Sequence, residues 1–276
     1  MTPLPPAAWR TGALLGGPFA VAAAAHIAPA VTWLPGLRRR CFPGLAGAGR
    51  PDHVALTFDD GPDPESTPLF LDALDGLGVR ATFFVLGARV VAHPGVAREV
   101  AARGHELAVH GWTHERPWRP APVRDIRTLA RAAAVVGEAA GRSPEWYRPA
   151  YGILTGGRWA AARRAGLRPV LWTAWGRDWE AEATPSSIRA VTGACLHGGG
   201  TLVLHDSDDT SAPGSWRATL AALPGVVADC RAAGLAVGPL AEHGPPTGRP
   251  AAPCTRTRPV TPPAAGRNPG AVRRGR

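Results

Sequence analysis

Two short stretches of the sequence place metal-binding side chains at close spacing. Asp59 and Asp60 stand together at the end of an apolar run, and a Gly-Pro turn follows them directly. His110 and His114 are four residues apart, a spacing at which two imidazoles can share one face and close on one ion. Asp60 with the two histidines leaves room for water and substrate, as a hydrolytic metal site requires. Taken singly, each stretch is equally typical of an ordinary turn or of structural histidines.

Further reactive side chains fit hydrolysis around such an ion. Asp59 can accept a proton from water, and His205 can give one to the departing amine or alcohol. Arg148 would hold Asp59 in its ionised form, and Asp178 could orient His205 and raise its pKa. The backbone N–H near Tyr151 could help to hold the oxyanion that forms during acyl transfer. Together these residues predict a metal-assisted hydrolase.

Short β-rich runs alternate with helical stretches from residue 53 onward, which predicts parallel strands joined by right-handed crossovers. The predicted strands are His53–Phe58, Ala81–Leu86, Glu106–His110, Trp146–Arg148, Pro169–Ala174, Thr201–Leu204 and Leu235–Val237. Helical stretches are expected around 66–76, 94–103, 122–139, 156–165, 185–194 and 215–232. This alternation builds either a β/α barrel or an open sheet. The reactive residues follow successive predicted strands, and that end of the strands is where a β/α barrel builds its active site.

In their order along the chain, five motifs resemble those of the polysaccharide deacetylase family, also called the NodB-homology or carbohydrate esterase 4 family. The motifs are Thr57–Pro62, His110–His114, Arg148–Gly152, Asp178-Trp179 and Leu204-His205-Asp206. The resemblance extends over about residues 52–240. It implies an α/β fold, a distorted (β/α)7 barrel, that binds a divalent metal. The metal is most often Zn²⁺ in that family, with Co²⁺, Ni²⁺ or Mn²⁺ as alternatives.

The resemblance also implies a role for each matching residue. The general base would be Asp59, and the general acid would be His205. Two further residues, Arg148 and Asp178, would tune the base and the acid. The metal ligands would be Asp60, His110 and His114, and the residues shaping the substrate side would be Tyr151 and Trp179.

Three positions depart from the usual pattern of that family. Gly111 stands where the family usually has Ser or Thr, and Trp175 stands where it usually has a second Asp. Val203 stands where it usually has a Leu that lines the acetyl pocket. None of these removes a metal ligand, the base or the acid. We expect Trp175, Trp179 and Val203 to shape substrate binding, and further rings near the rim that could stack on sugars are Trp112 and Trp118.

The basic character of the chain lies outside the predicted catalytic body. All 31 basic residues are Arg, which excludes chemistry that needs a lysine amine. The formal net charge is +10, yet residues 1–50 carry five Arg and no acid, and residues 243–276 carry seven Arg and no acid. Residues 51–242 have 19 Arg and 21 acids, a balance of −2. A body this close to neutral argues against nucleic-acid binding.

An uncharged segment runs from Thr11 to Leu37 and predicts an apolar helix within residues 1–40, as a signal anchor or a signal peptide. Its Ala28-Pro29-Ala30 pattern is like a signal-peptidase site, and a helix packed on a cytoplasmic domain is the alternative. Residues 41–242 are expected to form the catalytic domain. The Pro/Arg-rich residues 243–276 predict a disordered tail that could contact a membrane or an anionic envelope polymer. The four cysteines allow one disulfide and indicate no thiolate zinc site.

The predicted function is metal-dependent removal of N-acetyl groups, or alternatively O-acetyl groups, from a carbohydrate polymer such as peptidoglycan or a chitin-like glycan. Metal-bound water would attack the acyl carbon, with Asp59 as base and His205 as acid. One open alternative is hydrolysis of a non-peptide C–N bond in a small metabolite, which a cytoplasmic location would favour. Another is a degenerate carbohydrate-binding module, which the presence of the full set from Asp59 to His205 disfavours. We expect a monomer that is secreted or membrane-anchored at the cell envelope.

Overall fold

A sheet of eight parallel strands forms the centre of the protein in a computed structural model that describes residues 20–245. The strands are β1 (His53–Asp59), β2 (Thr82–Leu86), β3 (Glu106–Gly111), β4 (Trp146–Tyr147), β5 (Arg168–Pro169), β6 (Ala174–Trp175), β7 (Thr201–His205) and β8 (Ala236–Gly238). Every residue of β1, β2 and β3 is buried. Burial on both faces is typical of parallel strands covered by helices.

The order of the strands shows that the sheet must curl. They follow one another in the order β5-β4-β3-β2-β1-β7-β6, and β8 pairs with the first half of β1. A flat sheet of seven strands would hold its edges about 29 Å apart. Its two edge strands, β5 and β6, are joined by residues 170–173, and a link of that length spans at most about 17 Å. The strands therefore form a curled half-barrel, which confirms the predicted fold class.

One predicted strand, Pro169–Ala174, is instead two strands with a link between them. The backbone N–H of Val170 donates to Tyr147 of β4, whereas that of Thr173 donates to Thr201 of β7. Between them, the N–H of Leu171 donates to Leu45, outside the sheet. The link thus passes from one edge of the sheet to the other. The sequence predicts a strand here because the link is apolar. Its backbone N–H groups, however, donate to a different segment of the chain at each of these residues.

The helices that pack on the outer face of the sheet are α3 (Thr67–Leu77), α4 (Gly87–Ala92), α5 (Pro94–Ala102), α6 (Pro122–Ala140), α7 (Gly156–Arg164), α8 (Pro185–Cys195) and α9 (Trp216–Ala232). Before β1 come α1 (described from 20 to 27) and α2 (Pro35–Cys41). The six predicted helical stretches of the body correspond to α3 and to α5 through α9. The sequence did not predict α4, because six residues rich in Val are too few to show a helical period.

Successive side chains of β1 point into two different cores. Val54, Leu56 and Phe58 belong to the larger core, which the sheet shares with the helices. Ala55 belongs to a smaller cluster inside the curl, together with Phe84, Ala108, Val170 and Leu240. The alternation places Asp59, at the end of β1, on the inner side of the curl.

The predicted apolar segment falls partly within the described residues. A 3₁₀ turn, Ala28–Trp33, joins α1 to α2. Between residues 20 and 245, no one helix has the length and apolarity to cross a membrane; Ala20–Trp33 and Pro35–Cys41 pass that test only as a pair, bent by 95°. Residues 1–19 and most of the predicted tail, 246–276, lie outside the described residues.

Candidate active site

A cavity of about 500 Å³ opens at the carboxyl ends of the strands. Most of the residues that the sequence predicts for the site line it: Asp59, His110, His114, Tyr151, Trp175, Trp179, Val203 and His205. The other three, Asp60, Arg148 and Asp178, are buried behind these and contact them. The structure therefore brings all the predicted site residues together.

His110 reaches the cavity through a β-bulge in β3. The strands β2 and β3 pair in register as far as Val85 and Val109, but Leu86 then pairs with Gly111. His110 is the extra residue, and a bulge of this kind bends a strand and redirects a side chain. Gly111 has φ 119°, which L side chains rarely adopt. The glycine at this position therefore matches the local backbone.

Three side chains converge where β1 and β3 end. Asp60 Oδ1 lies 3.4 Å from His110 Nε2 and 3.7 Å from His114 Nε2. One ligand atom from each residue lies within 4.8 Å of the others. Among the described residues, Asp60 Oδ1 is buried with no hydrogen-bond partner, and a cation would satisfy it. Asp60 also has φ 81°, an outlier of the kind that clusters at functional sites.

The protonation of these side chains fits a divalent cation. His110 Nδ1 donates to the carbonyl of Arg148 at 2.9 Å, which leaves the lone pair on Nε2. Burial lowers the pKa of His114 to about 4, so its ring is neutral at neutral pH. Burial alone would raise the pKa of Asp60, but the adjacent imidazoles bring it below its usual range. A carboxylate and two imidazoles are ligands that Zn²⁺ takes.

Asp59 forms a buried ion pair beside this set. Arg148, which is 0% exposed, donates from Nη1 to Asp59 Oδ1 at 2.6 Å. The same guanidinium donates to Thr57 Oγ1 at 2.8 Å and to the carbonyl of Leu171 at 3.0 Å. Its carbon lies 3.9 Å from the ring centre of Phe84. Burial lowers the pKa of Arg148, and the charge of Asp59 opposes this change. The pair fixes the position of Asp59.

His205 is held by Asp178. The two side chains meet at 3.1 Å between His205 Nδ1 and Asp178 Oδ1. Asp178 Oδ2 accepts from the backbone N–H of His205 at 2.7 Å and from Thr219 Oγ1 at 3.0 Å. Burial opposes protonation of the ring, but the Asp178 carboxylate raises the pKa of His205 to about 10. His205 is therefore a cation at neutral pH, with Nε2 as the nitrogen available to a ligand.

Tyr151 lies against the metal-binding set in a left-handed backbone conformation. Its φ is 58°, which is uncommon for a residue other than glycine, and its ring centre is 4.3 Å from that of His114. Gly152 follows with φ 66°, and a Cβ there would come within 2.7 Å of the Trp172 ring. The turn therefore places the Tyr151 ring against His114.

The sequence model of the polysaccharide deacetylase family matches residues 46–170 of this chain. A chitooligosaccharide deacetylase from Bradyrhizobium sp. (strain ANU 289) is 39% identical over 155 residues, which are 55% of this chain and 70% of that protein. The chain belongs to the polysaccharide deacetylase family. This confirms the resemblance seen in the five sequence motifs and the prediction of a hydrolase that acts on non-peptide carbon–nitrogen bonds.

Two further proteins are similar to this polysaccharide deacetylase. The peptidoglycan-N-acetylglucosamine deacetylase PgdA of Listeria monocytogenes serotype 1/2a (strain 10403S) is 30% identical over 159 residues. Those residues are 58% of this chain but only 33% of the Listeria protein. Among solved structures, a family 4 carbohydrate esterase from Streptomyces lividans, in complex with acetate, has a TM-score of 0.62 at 30% identity. That match covers 73% of this chain and 98% of the Streptomyces chain.

The tryptophans of this polysaccharide deacetylase lie on two sides of the cavity mouth and outside it. Trp172, Trp175 and Trp179 form a row, with ring centres 6.4 Å and then 5.5 Å apart, and Trp179 meets the His205 ring edge-on at 5.6 Å. Trp118 also lines the cavity, as expected. Trp112 is not among the cavity-lining residues, and it packs beneath Arg131 with its ring centre 3.7 Å from the guanidinium carbon.

Sequence reasoning missed several residues of the site. Thr210 donates to Asp60 Oδ2 at 2.6 Å, and Ser211 lines the cavity beside it. These residues follow Asp208-Asp209, a stretch typical of a solvated loop. Ala30 and Trp33 line the cavity from the segment predicted as a signal sequence. Because Ala30 and Trp33 stand in an apolar stretch of the sequence, nothing there indicated a substrate site.

Proposed function

We propose that this polysaccharide deacetylase removes N-acetyl groups from a carbohydrate polymer, such as peptidoglycan or a chitin-like glycan, in a metal-dependent reaction. One observation carries the proposal: a cation-binding set, a carboxylate held by an arginine and a histidine held by a carboxylate share one cavity. The names of the Bradyrhizobium and Listeria relatives support N-acetylated glycans as the substrate class.

Asp60, His110 and His114 would hold the ion. We propose Zn²⁺, since two imidazoles and one carboxylate are a common zinc ligand set, with Co²⁺, Ni²⁺ or Mn²⁺ as substitutes. When bound, the ion supplies Lewis-acid polarisation of the acyl carbonyl and a lower pKa for water. Thr210 donates to Asp60 Oδ2 and so directs Oδ1 toward the two imidazoles.

Asp59 is the proposed base. Its Oδ1 accepts from Arg148, whereas its Oδ2 lies 4.0 Å from His110 Nε2 and faces the metal-binding set. A water molecule attacking the acyl carbon would give its proton to Oδ2. Arg148 stabilises the charged form of Asp59 before that transfer and keeps the carboxyl group in place after it.

His205 is the proposed acid. Since Asp178 keeps the ring protonated at neutral pH, Nε2 can pass its proton to the nitrogen of the breaking C–N bond. The products are acetate and a free amine, and Asp178 stabilises the ring throughout. The backbone N–H of Tyr151 is the proposed donor to the carbonyl oxygen as it gains negative charge.

Val203, Trp175 and Trp179 are the proposed walls of the acyl pocket. Val203 and Trp175 are direct neighbours in the register of β7 and β6, and both line the cavity with Trp179. The Trp175 indole occupies the place where the family usually has a carboxylate. The pocket beside His205 is therefore apolar, which suits the methyl group of an acetyl substituent.

We propose export to the cell envelope. Within the described residues, apolar side chains near the N-terminus are exposed at Val21, Ile27, Val31, Leu34, Leu37 and Phe42, which fits contact with a membrane. Cys195 is disulfide-bonded, as is usual in proteins that fold outside the cytoplasm. In this proposal residues 1–40 export the chain and stay attached to it as an anchor, and residues 41–242 are the catalytic domain of a monomer. The predicted tail was drawn from residue 243, but His243 is 2% exposed and hydrogen-bonded to Gly47 and Gly199, so the contact with an anionic envelope surface is proposed for the residues after it. Partition of the protein with membranes, with release by high salt or by detergent, tests this placement.

Acetate release from an N-acetylated chitooligosaccharide tests the enzymatic proposal. Wild-type protein loaded with Zn²⁺ should release acetate, a chelator should stop the reaction, and added metal should restore it. Asp59→Asn should bind the same amount of metal but release acetate on the order of 10³-fold more slowly. Release no faster than that variant from chitin fragments and peptidoglycan alike would rule out a glycan deacetylase.

A further inference from the structure

We propose that the N-terminal arm, residues 26–38, forms a sugar-binding subsite with Trp33 as its stacking residue. This inference rests on the proposed function, since it assigns a place to a sugar unit next to the one that reacts. The ligand class is a neutral N-acetylated oligosaccharide of two or more units.

The arm forms part of the cavity that holds the reactive residues. Ala30 and Trp33 line it together with Asp59, His114 and His205. The Trp33 side chain is 38% exposed, so part of its ring is open to a ligand. The arm precedes residue 46, where the match to the family model begins.

Two buried side chains fix the arm to the cavity wall. Arg38, which is 3% exposed, donates to the carbonyl of Trp172 at 2.7 Å and to that of Thr32 at 3.0 Å. Burial lowers the pKa of Arg38 to about 10, which still leaves it charged at neutral pH. His26 Nε2 donates to the carbonyl of Pro117 at 3.1 Å. Of these partners, Trp172 lines the cavity, and Pro117 directly precedes the lining residue Trp118.

A glycine at the start of α7 makes room for the chain where it enters the arm. A Cβ at Gly156 would lie 2.5 Å from the carbonyl oxygen of Ala25, the residue before His26. Backbone contact this close is possible only without side chains. The arm is therefore seated in a shaped surface and holds Trp33 in one place.

The chemistry of this side suits a sugar. Trp118 is 49% exposed and lines the cavity with Trp33 and Arg116. Flat rings beside a polar group match a pyranose, which has an apolar face and hydroxyl groups at its edge. The Arg116 guanidinium lies 5.1 Å from the centre of the Tyr151 ring, so it joins this side to the reactive residues.

The test compares ligands of different length in the full chain carrying Asp59→Asn, which binds glycan without consuming it. Calorimetry measures the Kd of triacetylchitotriose and of N-acetylglucosamine for this background, with and without Trp33→Ala. Loss of one stacking ring should weaken trisaccharide binding about 3- to 10-fold and leave monosaccharide binding unchanged. Trp33→Phe should restore most of the loss. Trp159→Ala is the matched control, because Trp159 is 46% exposed on α7 and does not line the cavity.

Steady-state kinetics of the protein in which Asp59 is unchanged give a second readout. Trp33→Ala should raise KM for the trisaccharide with a much smaller change in kcat. Equal trisaccharide binding by Trp33→Ala and its parent, or no trisaccharide binding by the parent, overturns the subsite. Binding that depends on Trp33 without acetate release from the metal-loaded wild type would instead remove the deacetylase proposal and keep the subsite.

Discussion

The reactive side and the arm side of the cavity are built in different ways. Reactive side chains leave the ends of strands and are each held by a second buried group, as Arg148 holds Asp59 and Asp178 holds His205. The arm-side rings, Trp33 and Trp118, stand on segments outside the strands and are 38% and 49% exposed. The fold therefore fixes the position of the chemistry, whereas segments outside the strands carry the rings proposed to hold the glycan.

Breaking the buried pair on the reactive side should have the largest effect. Arg148→Met leaves the Asp59 carboxyl group buried and without its donor, so we expect a loss of about 3–5 kcal/mol in the free energy of unfolding and little remaining activity. Urea unfolding followed by circular dichroism measures the loss. Arg217→Met is the control, since its pair with Glu65 at 2.8 Å is exposed on both sides and should contribute under about 1 kcal/mol. Similar losses for the two variants would show that the buried pair stabilises the protein no more than an exposed pair does.

Removing the carboxylate behind His205 should change the pH dependence. In the wild type, Asp178 raises the pKa of His205 to about 10 against the effect of burial, so the acid stays protonated up to alkaline pH. Asp178→Asn removes that charge, and the pKa falls. The alkaline limb of the kcat/KM profile should move to lower pH, with a decrease of about tenfold per pH unit beyond the new pKa. A variant whose activity falls equally at all pH values would show that Asp178 does not act through this ionisation.

A smaller effect is expected at Thr210, which the sequence did not indicate. Thr210→Val removes the hydrogen bond to Asp60 Oδ2 and should weaken metal binding by about 10- to 100-fold. Competition with a chromophoric chelator measures the affinity without any turnover. Ser211→Ala, beside it in the cavity lining, should keep the wild-type affinity. Unchanged metal affinity in Thr210→Val would mean that the bond does not position Asp60.

The smallest effect is expected on the arm side. Trp118→Ala should raise KM for a trisaccharide only a few-fold, since a half-exposed ring contributes about 0.5–1.5 kcal/mol of stacking. Its unfolding midpoint should match that of the wild type within error. If Trp118→Ala lowered kcat as much as a substitution on the reactive side, Trp118 would contribute to the reaction and not only to glycan binding.

The two sides also differ in how far the sequence predicts them. Asp60, His110 and His114 were predicted because residues after successive parallel strands meet at one end of a sheet, whatever the loops do. Trp33 lies twenty residues before β1 along the chain, and tertiary contacts through Arg38 and His26 bring it to the cavity. Thr210 stands in a polar loop with no period or motif. The link after Pro169 was predicted incorrectly for a similar reason. An apolar run predicts a strand, but it does not predict that the hydrogen bonds pass from one strand to another within the run.

That link bears on how the width of the cavity is set. A barrel closed by a continuous ladder has a circumference fixed by strand number and stagger. Here the carbonyls of Leu171 and Trp172 accept instead from two guanidinium groups, Arg148 and Arg38. Side chains therefore complete the circumference at the seam. The closure of the cleft at this seam therefore depends in part on Arg38, a residue that lies outside every strand.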